Sequence, residues 1–168
     1  MKFLERPKIF KFRSGITMTL VMLVCVFWDM FFKIITDGFD ISVIPNFLDF
    51  NSTHNTGAAY SIFAGQVGWL IAISSVLIVA ICVFNWFYKK KSIFYCVSMG
   101  MIIGGAVGNL IDRVFFGYVR DFIKFSFFSF TCNLADVFLC IGVGLFAVYL
   151  IFFADKKQGE NSDAKNNS

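Results

Sequence analysis

The chain has 168 residues, of which 58% are hydrophobic and only 15% charged, with 24 phenylalanines and two prolines. So much apolar surface exceeds what one water-soluble core of this length hides, which excludes a purely soluble domain and makes lipid part of the solvent. The formal charge of +4 does not mark a nucleic-acid partner: Lys2, Arg6, Lys8, Lys11 and Arg13 precede the first apolar run, Lys89, Lys90 and Lys91 form one cluster, and Lys156, Lys157 and Lys165 lie near the end, all as flanks of membrane spans.

Four runs approach the ~20 apolar residues that a bilayer core demands. The first, Gly15 to Ile35, is too long for a signal-peptide core and is followed by no small-residue cleavage site, so it reads as a retained helix. It carries Asp29 with Lys33 one turn later, a favourable acid-before-base spacing that reads as a structural ion pair at the helix end. Lys33 can also extend toward the outer headgroups. The stretch Ile41 to Phe50 is weakly strand-like and broken at Pro45.

The second run, Val67 to Tyr88, leads through a short basic turn into the third, Ile93 to Ile111. Gly100, Gly104, Gly105 and Gly108 give the third helix a small-residue surface suited to close helix contact. At its far end, Asn109, Asp112 and Arg113 share one side if the helix continues that far. Asp121 follows in a polar segment, and Asp136 falls in the first turn of the fourth run, Leu134 to Phe153. The expected fold is an all-α membrane protein of four transmembrane helices, with a small β-like segment between helices 1 and 2. Residues 1–153 form a single domain, and the polar stretch 154–168 is expected to be a disordered tail.

Placing eleven of the fifteen basic residues inside and four outside puts both termini in the cytoplasm, and the segments 37–66 and 112–133 on the outer side. Among five cysteines there is no CxxC pair; the four inside apolar runs read as small core residues. The single His54 assembles no zinc site and there is no HExxH, so no metal or other cofactor is expected. A tetraspan channel would spread its polar residues through the membrane depth, whereas Asp29, Asn109, Asp112 and Asp136 cluster toward one side. A purely structural subunit does not need two concentrated polar blocks, and no GxSxG supports a serine nucleophile.

Two carboxylates brought close can share one proton, one activating water while the other protonates the substrate. The residues that would do so lie in three blocks. Asn109-Leu-Ile-Asp-Arg113, Gly117-Tyr-Val-Arg-Asp-Phe122 and Asn133-Leu-Ala-Asp136 resemble the signature regions of bacterial lipoprotein signal peptidase, or signal peptidase II, an aspartic intramembrane peptidase family. Asn55-Thr-Gly-Ala-Ala-Tyr-Ser61 resembles the family's asparagine-and-glycine motif, and Asp29 with Lys33 its first-helix motif. Met30, Tyr60 and Cys132 stand at supporting positions where the family commonly has glutamine, phenylalanine and phenylalanine.

The resemblance implies Asp121 and Asp136 as the catalytic pair, and Asn55, Asn109, Arg113 and Asn133 as residues that bind substrate or support the pair. Asp29, Lys33 and Asp112 take structural roles. It implies a diacylglyceryl-modified prolipoprotein cut just before its lipidated cysteine, at the outer face of the bacterial inner membrane, by an enzyme expected to be a monomer with membrane lipids around it. If Asn133 caps the fourth helix, Asp136 occupies its third position, where the dipole and backbone donors favour a charged carboxylate. Asp136 is then the expected ionised partner and Asp121 the initial acid.

Overall fold

A computed structural model describes residues 8–57, 65–88 and 92–154, the side chains of 8–14, 153 and 154 excepted. Lys2 and Arg6, residues 58–61 of the Asn55 block, the Lys89–Lys91 turn and the stretch 155–168 lie outside the described residues. The elements in chain order are α1 (Lys8–Thr36), β1 (Asp40–Ile44), β2 (Leu48–Asn55), α2 (Val67–Phe87), α3 (Ile93–Phe116), β3 (Val119–Phe125), β4 (Thr131–Cys132) and α4 (Leu134–Tyr149), which runs on as a π-helical turn over Leu150–Ala154. The stretches Gly15–Thr36, Val67–Phe87, Ile93–Phe116 and Leu134–Phe152 are each long and apolar enough to cross a membrane.

α3 forms the centre of the bundle, and its glycines explain why. A Cβ built on Gly104 would lie 2.8 Å from the Cβ of Cys25 in α1, and one on Gly100 2.8 Å from the carbonyl oxygen of Met18. On the other flank, a Cβ on Gly105 would collide with the Ala135 carbonyl oxygen of α4. Small residues thus let two neighbours approach α3 at backbone distance, the geometry by which helices associate in lipid without a hydrophobic driving force. α2 is peripheral, with only Leu70 and Asn85 buried. Asn85 accepts the Tyr95 hydroxyl hydrogen bond at 2.8 Å, tying α2 to α3 at the end away from the polar blocks.

The helix ends follow local chemistry. Ser92 caps α3 by accepting from the Tyr95 N–H at 3.1 Å. Gly117, at φ 77°, ends that helix in the left-handed conformation and turns the chain back into β3. α3 therefore extends five residues past the expected Ile111, which carries Asp112 and Arg113 on helical turns. The hairpin between β1 and β2 turns over Pro45 and Asn46, the latter at φ 61°, a left-handed setting that asparagine tolerates better than most residues.

One antiparallel sheet of order β1-β2-β3-β4 covers this end of the bundle. The strand-like segment between helices 1 and 2 supplies β1 and β2, as expected; β3 and β4 come from the stretch between α3 and α4. β2 pairs with β3 in a register that sets Thr53 opposite Asp121 and Asn55 opposite Val119.

Two expectations need correction. Cys25 and Cys96 are core residues, but Cys82 and Cys140 are exposed on the helix surfaces. Lys33 does not reach outward: it is fully buried, because acidic partners from two helices face it.

Candidate active site

The polar blocks converge where α1, α3 and α4 meet the sheet. Asp29 and Lys33 lie one helical turn apart, with Lys33 Nζ 2.8 Å from Asp29 Oδ2, and both side chains are fully buried. The same ammonium lies 3.2 Å from Asp112 Oδ2. Asp112 also accepts from Arg120, from the guanidinium Nη2 at 2.7 Å and the backbone N–H at 2.9 Å. Two buried anions thus face two buried cations, the condition under which ionised groups persist away from water. Gly108 makes room for the arrangement, since a Cβ there would lie 2.6 Å from Asp29 Oδ2.

Asp29 does a second job. Its Oδ1 accepts the Ala135 backbone N–H at 2.8 Å, a donor of the first turn of α4 that has no partner within its own helix. Asn133 is the N-cap of α4, its Oδ1 accepting from the Asp136 N–H at 3.0 Å while Asp136 Oδ2 accepts from the Asn133 N–H at 3.3 Å. The expected cap is therefore present as a reciprocal capping box. It fixes Asp136 at the third helical position, with Oδ1 left for another donor.

That donor is Asn109, whose Nδ2 lies 2.7 Å from Asp136 Oδ1. The orientation of its amide follows from what meets the other end: Asn109 Oδ1 accepts from Lys33 Nζ at 3.2 Å and Asn133 Nδ2 at 3.0 Å. Asn133 Nδ2 also donates to Asp121 Oδ1 at 2.6 Å. One asparagine side chain therefore touches both Asp121 and the backbone that holds Asp136. The other oxygen of Asp121, Oδ2, accepts from Asn55 Nδ2 at 2.9 Å across the β2–β3 pair.

Asp121 is buried, and that burial is the main reason its carboxyl is pushed up to about 6; the nearby Asp136 adds to the rise, while donors Asn55 and Asn133 and the Lys33 charge oppose it. Around the pair, Arg113 Nη2 donates to the Gly57 carbonyl at 3.0 Å, and the Gly57 N–H donates to Asn55 Oδ1 at 2.9 Å. Arg113 thereby secures the end of β2 that presents Asn55. Its Nε is buried without a hydrogen-bond partner.

The structure brings Asn55, Asn109, Asn133, Asp121 and Asp136 into one continuous hydrogen-bonded set, joined through Lys33 to Asp29 and Asp112. Arg113 reaches the set through Gly57 and Asn55. Sequence reasoning passed over two participants. Thr53 Oγ1 donates to the Asp121 backbone carbonyl at 3.2 Å, a consequence of strand register that no motif announces. Arg120 lies within the Gly117–Phe122 block, where the resemblance assigns it no role; the left-handed turn at Gly117 folds it back onto Asp112.

Similarity to known proteins covers most of the chain. The family model of signal peptidase (SPase) II matches residues 21–152. A lipoprotein signal peptidase of Clostridium novyi (strain NT) is 33% identical over 123 residues, spanning 71% of this chain and 83% of the relative. Another of that name, from Clostridium acetobutylicum, is 36% identical over 125 residues, spanning 72% and 81%. A solved bacterial membrane enzyme, determined by the in meso method at 2.3 Å resolution, superposes with a TM-score of 0.74 at 33% identity, over 84% of this chain and 91% of that one.

Proposed function

The chain belongs to the signal peptidase II family and is a multi-pass membrane protease, and from that premise we propose that Asp121 and Asp136 form an aspartic dyad that cuts prolipoproteins just before a lipid-modified cysteine. The observation that carries this reading is the single Asn133 side chain, which donates to Asp121 and caps the turn holding Asp136. Two carboxylates held this way can divide the work of peptide hydrolysis. Asp136 accepts a proton from the attacking water while Asp121 gives its proton to the carbonyl oxygen; on collapse Asp136 passes the water's proton to the leaving amine and Asp121 takes its own back from a gem-diol hydroxyl as the C–N bond breaks. Burial of Asp121 supports the acid role, because it extends the protonated form up to about pH 6, well above the ordinary carboxylate range.

The remaining contacts suit a positioning role. Asn55, on a strand end beside Asp121, can hydrogen-bond an extended substrate backbone, and the Arg113–Gly57 contact keeps that strand end in place. The substrate is a prolipoprotein carrying diacylglycerol, with signal helix and lipid both in the bilayer. A site where helices meet an extramembrane sheet receives the scissile bond without drawing the lipid into water. The basic asymmetry supports cytoplasmic termini and a site at the outer face of the inner membrane.

The test is a cleavage assay of the purified protein on a lipidated prolipoprotein and its unlipidated twin in one detergent. Asp121→Asn and Asp136→Asn should each abolish cleavage while the protein still inserts and folds. Near-parental turnover in either variant refutes the dyad, and equal cleavage of both substrates refutes the lipid requirement alone.

A further inference from the structure

Arg120 precedes Asp121 on β3, and strand alternation sends the two side chains to opposite faces. Asp121 faces Asn55 and Asn133. Arg120 faces the helices, its guanidinium 4.4 Å from the centre of the Phe116 ring and its Nη2 3.9 Å from Met30 Sδ. It is buried and gives Asp112 two guanidinium contacts, Nη2 to Oδ1 at 2.7 Å and Nε to Oδ2 at 3.4 Å. Asp112 Oδ2 in turn accepts the Arg120 backbone N–H at 2.9 Å, so the α3 carboxylate grips the strand one residue before Asp121.

We propose that Arg120 is a positioning residue for the reaction, neutralising Asp112 so that Lys33 is shared evenly and β3 holds Asp121 in place. The inference rests on the dyad reading above. Its physical content is a charge count. Asp29, Asp112, Lys33 and Arg120 sum to zero, and Lys33 is the only other cation touching these carboxylates among the described residues. Remove Arg120, and two buried anions depend on one ammonium, which is drawn from Asn109 toward Asp112. Asn109 Oδ1 then loses a donor, and with it the constraint that aims Nδ2 at Asp136.

The surplus negative charge also acts on Asp121 through space. The charged and titratable groups that act on that carboxyl are Lys33 from α1, Arg113 from α3, Asp136 from α4 and the Cys132 thiol on β4, and Asp29 and Asp112 are coupled to it through Lys33. One uncompensated charge at ~10 Å and an effective dielectric constant of ~20 moves a titration by roughly one pH unit. The move is upward, because a nearby anion holds the proton on a carboxyl.

The experiment measures kcat, KM and the pH profile of kcat/KM for the wild type, Arg120→Gln, Arg120→Lys and the double variant Asp112→Asn/Arg120→Gln, on the lipidated precursor. Arg120→Gln should lower the kcat plateau about tenfold with KM little changed, and shift the alkaline limb up by about one unit. Arg120→Lys should keep the wild-type limb, because the charge is restored. The double variant should return the limb to its wild-type position while the plateau stays low, because neutrality is regained without the grip on β3. A limb unmoved in Arg120→Gln, or moved equally in the double variant, overturns the proposal. Should Arg120→Gln fail to fold, a limb displaced in Arg120→Lys overturns it equally. Loss of the dyad reading has a separate signature, an active Asp121→Asn protein.

Discussion

Replacing Lys33 by methionine keeps the length and apolar volume of the side chain and deletes one charge. Two arrangements predict different costs. A lysine reaching the headgroups makes an exposed ion pair, worth about 0–1 kcal/mol. In the structure its ammonium is fully buried, 2.8 Å from Asp29, 3.2 Å from Asp112 and 3.2 Å from Asn109 Oδ1. Breaking a buried pair from one side leaves an uncompensated charge and costs about 3–5 kcal/mol. Here two carboxylates lose a shared cation and only Asp112 keeps another, Arg120. Lys33→Met should therefore destabilise the protein by about 3–5 kcal/mol, read from reversible unfolding in one detergent. Asp29→Asn/Lys33→Met, which restores charge balance, should recover at least ~1 kcal/mol, the usual coupling of contacting residues. A single-variant cost of about 1 kcal/mol or less, or no recovery in the double variant, would refute the buried network as the anchor of this site.

Four further outcomes follow. Because burial chiefly holds the Asp121 carboxyl up to about 6, kcat/KM should fall above about pH 6 as the acid loses its proton; a profile flat from pH 5 to 8 would count against the assignment. The same raised value means the folded state binds this proton better than the unfolded chain, so that stabilisation is complete below pH 3.8 and lost as pH rises through about 6. Wild type should thus lose up to roughly 3 kcal/mol over that window, at ~1.4 kcal/mol per unit, and Asp121→Asn should not; equal pH dependence of the two melting curves would contradict it. Asn55→Ala should lower kcat/KM by about 10–100-fold, a positioning loss, against complete loss for either aspartate; inactivity as complete as that of Asp121→Asn would make Asn55 part of the chemistry. A cysteine placed at position 52, in a background without native cysteines, should react with an impermeant thiol reagent from the outside; labelling only from the cytoplasmic side would reverse the topology.

The sequence alone determined the features that rest on local composition. Four apolar runs of bilayer length, the strand break at Pro45 and the cap at Asn133 are written in neighbouring residues, and the structure has all of them. The motif blocks singled out the polar residues that converge in the structure, because polar groups at membrane depth are too costly to be scattered. Only the tertiary structure decided how those residues meet. Whether Lys33 turns outward or inward depends on Asp112 of another helix and on the room left by Gly108, neither of which is adjacent in sequence. Which cysteines face the core was equally undecided, since lipid is as apolar as the bundle interior and composition does not separate Cys25 from Cys82. The meeting of Asp121 with Asn55, and of Arg120 with Asp112, needed the left-handed turn at Gly117 and the β2–β3 register. These contacts join residues 66 and 8 positions apart; their cause is chain reversal and strand pairing, which no single segment encodes.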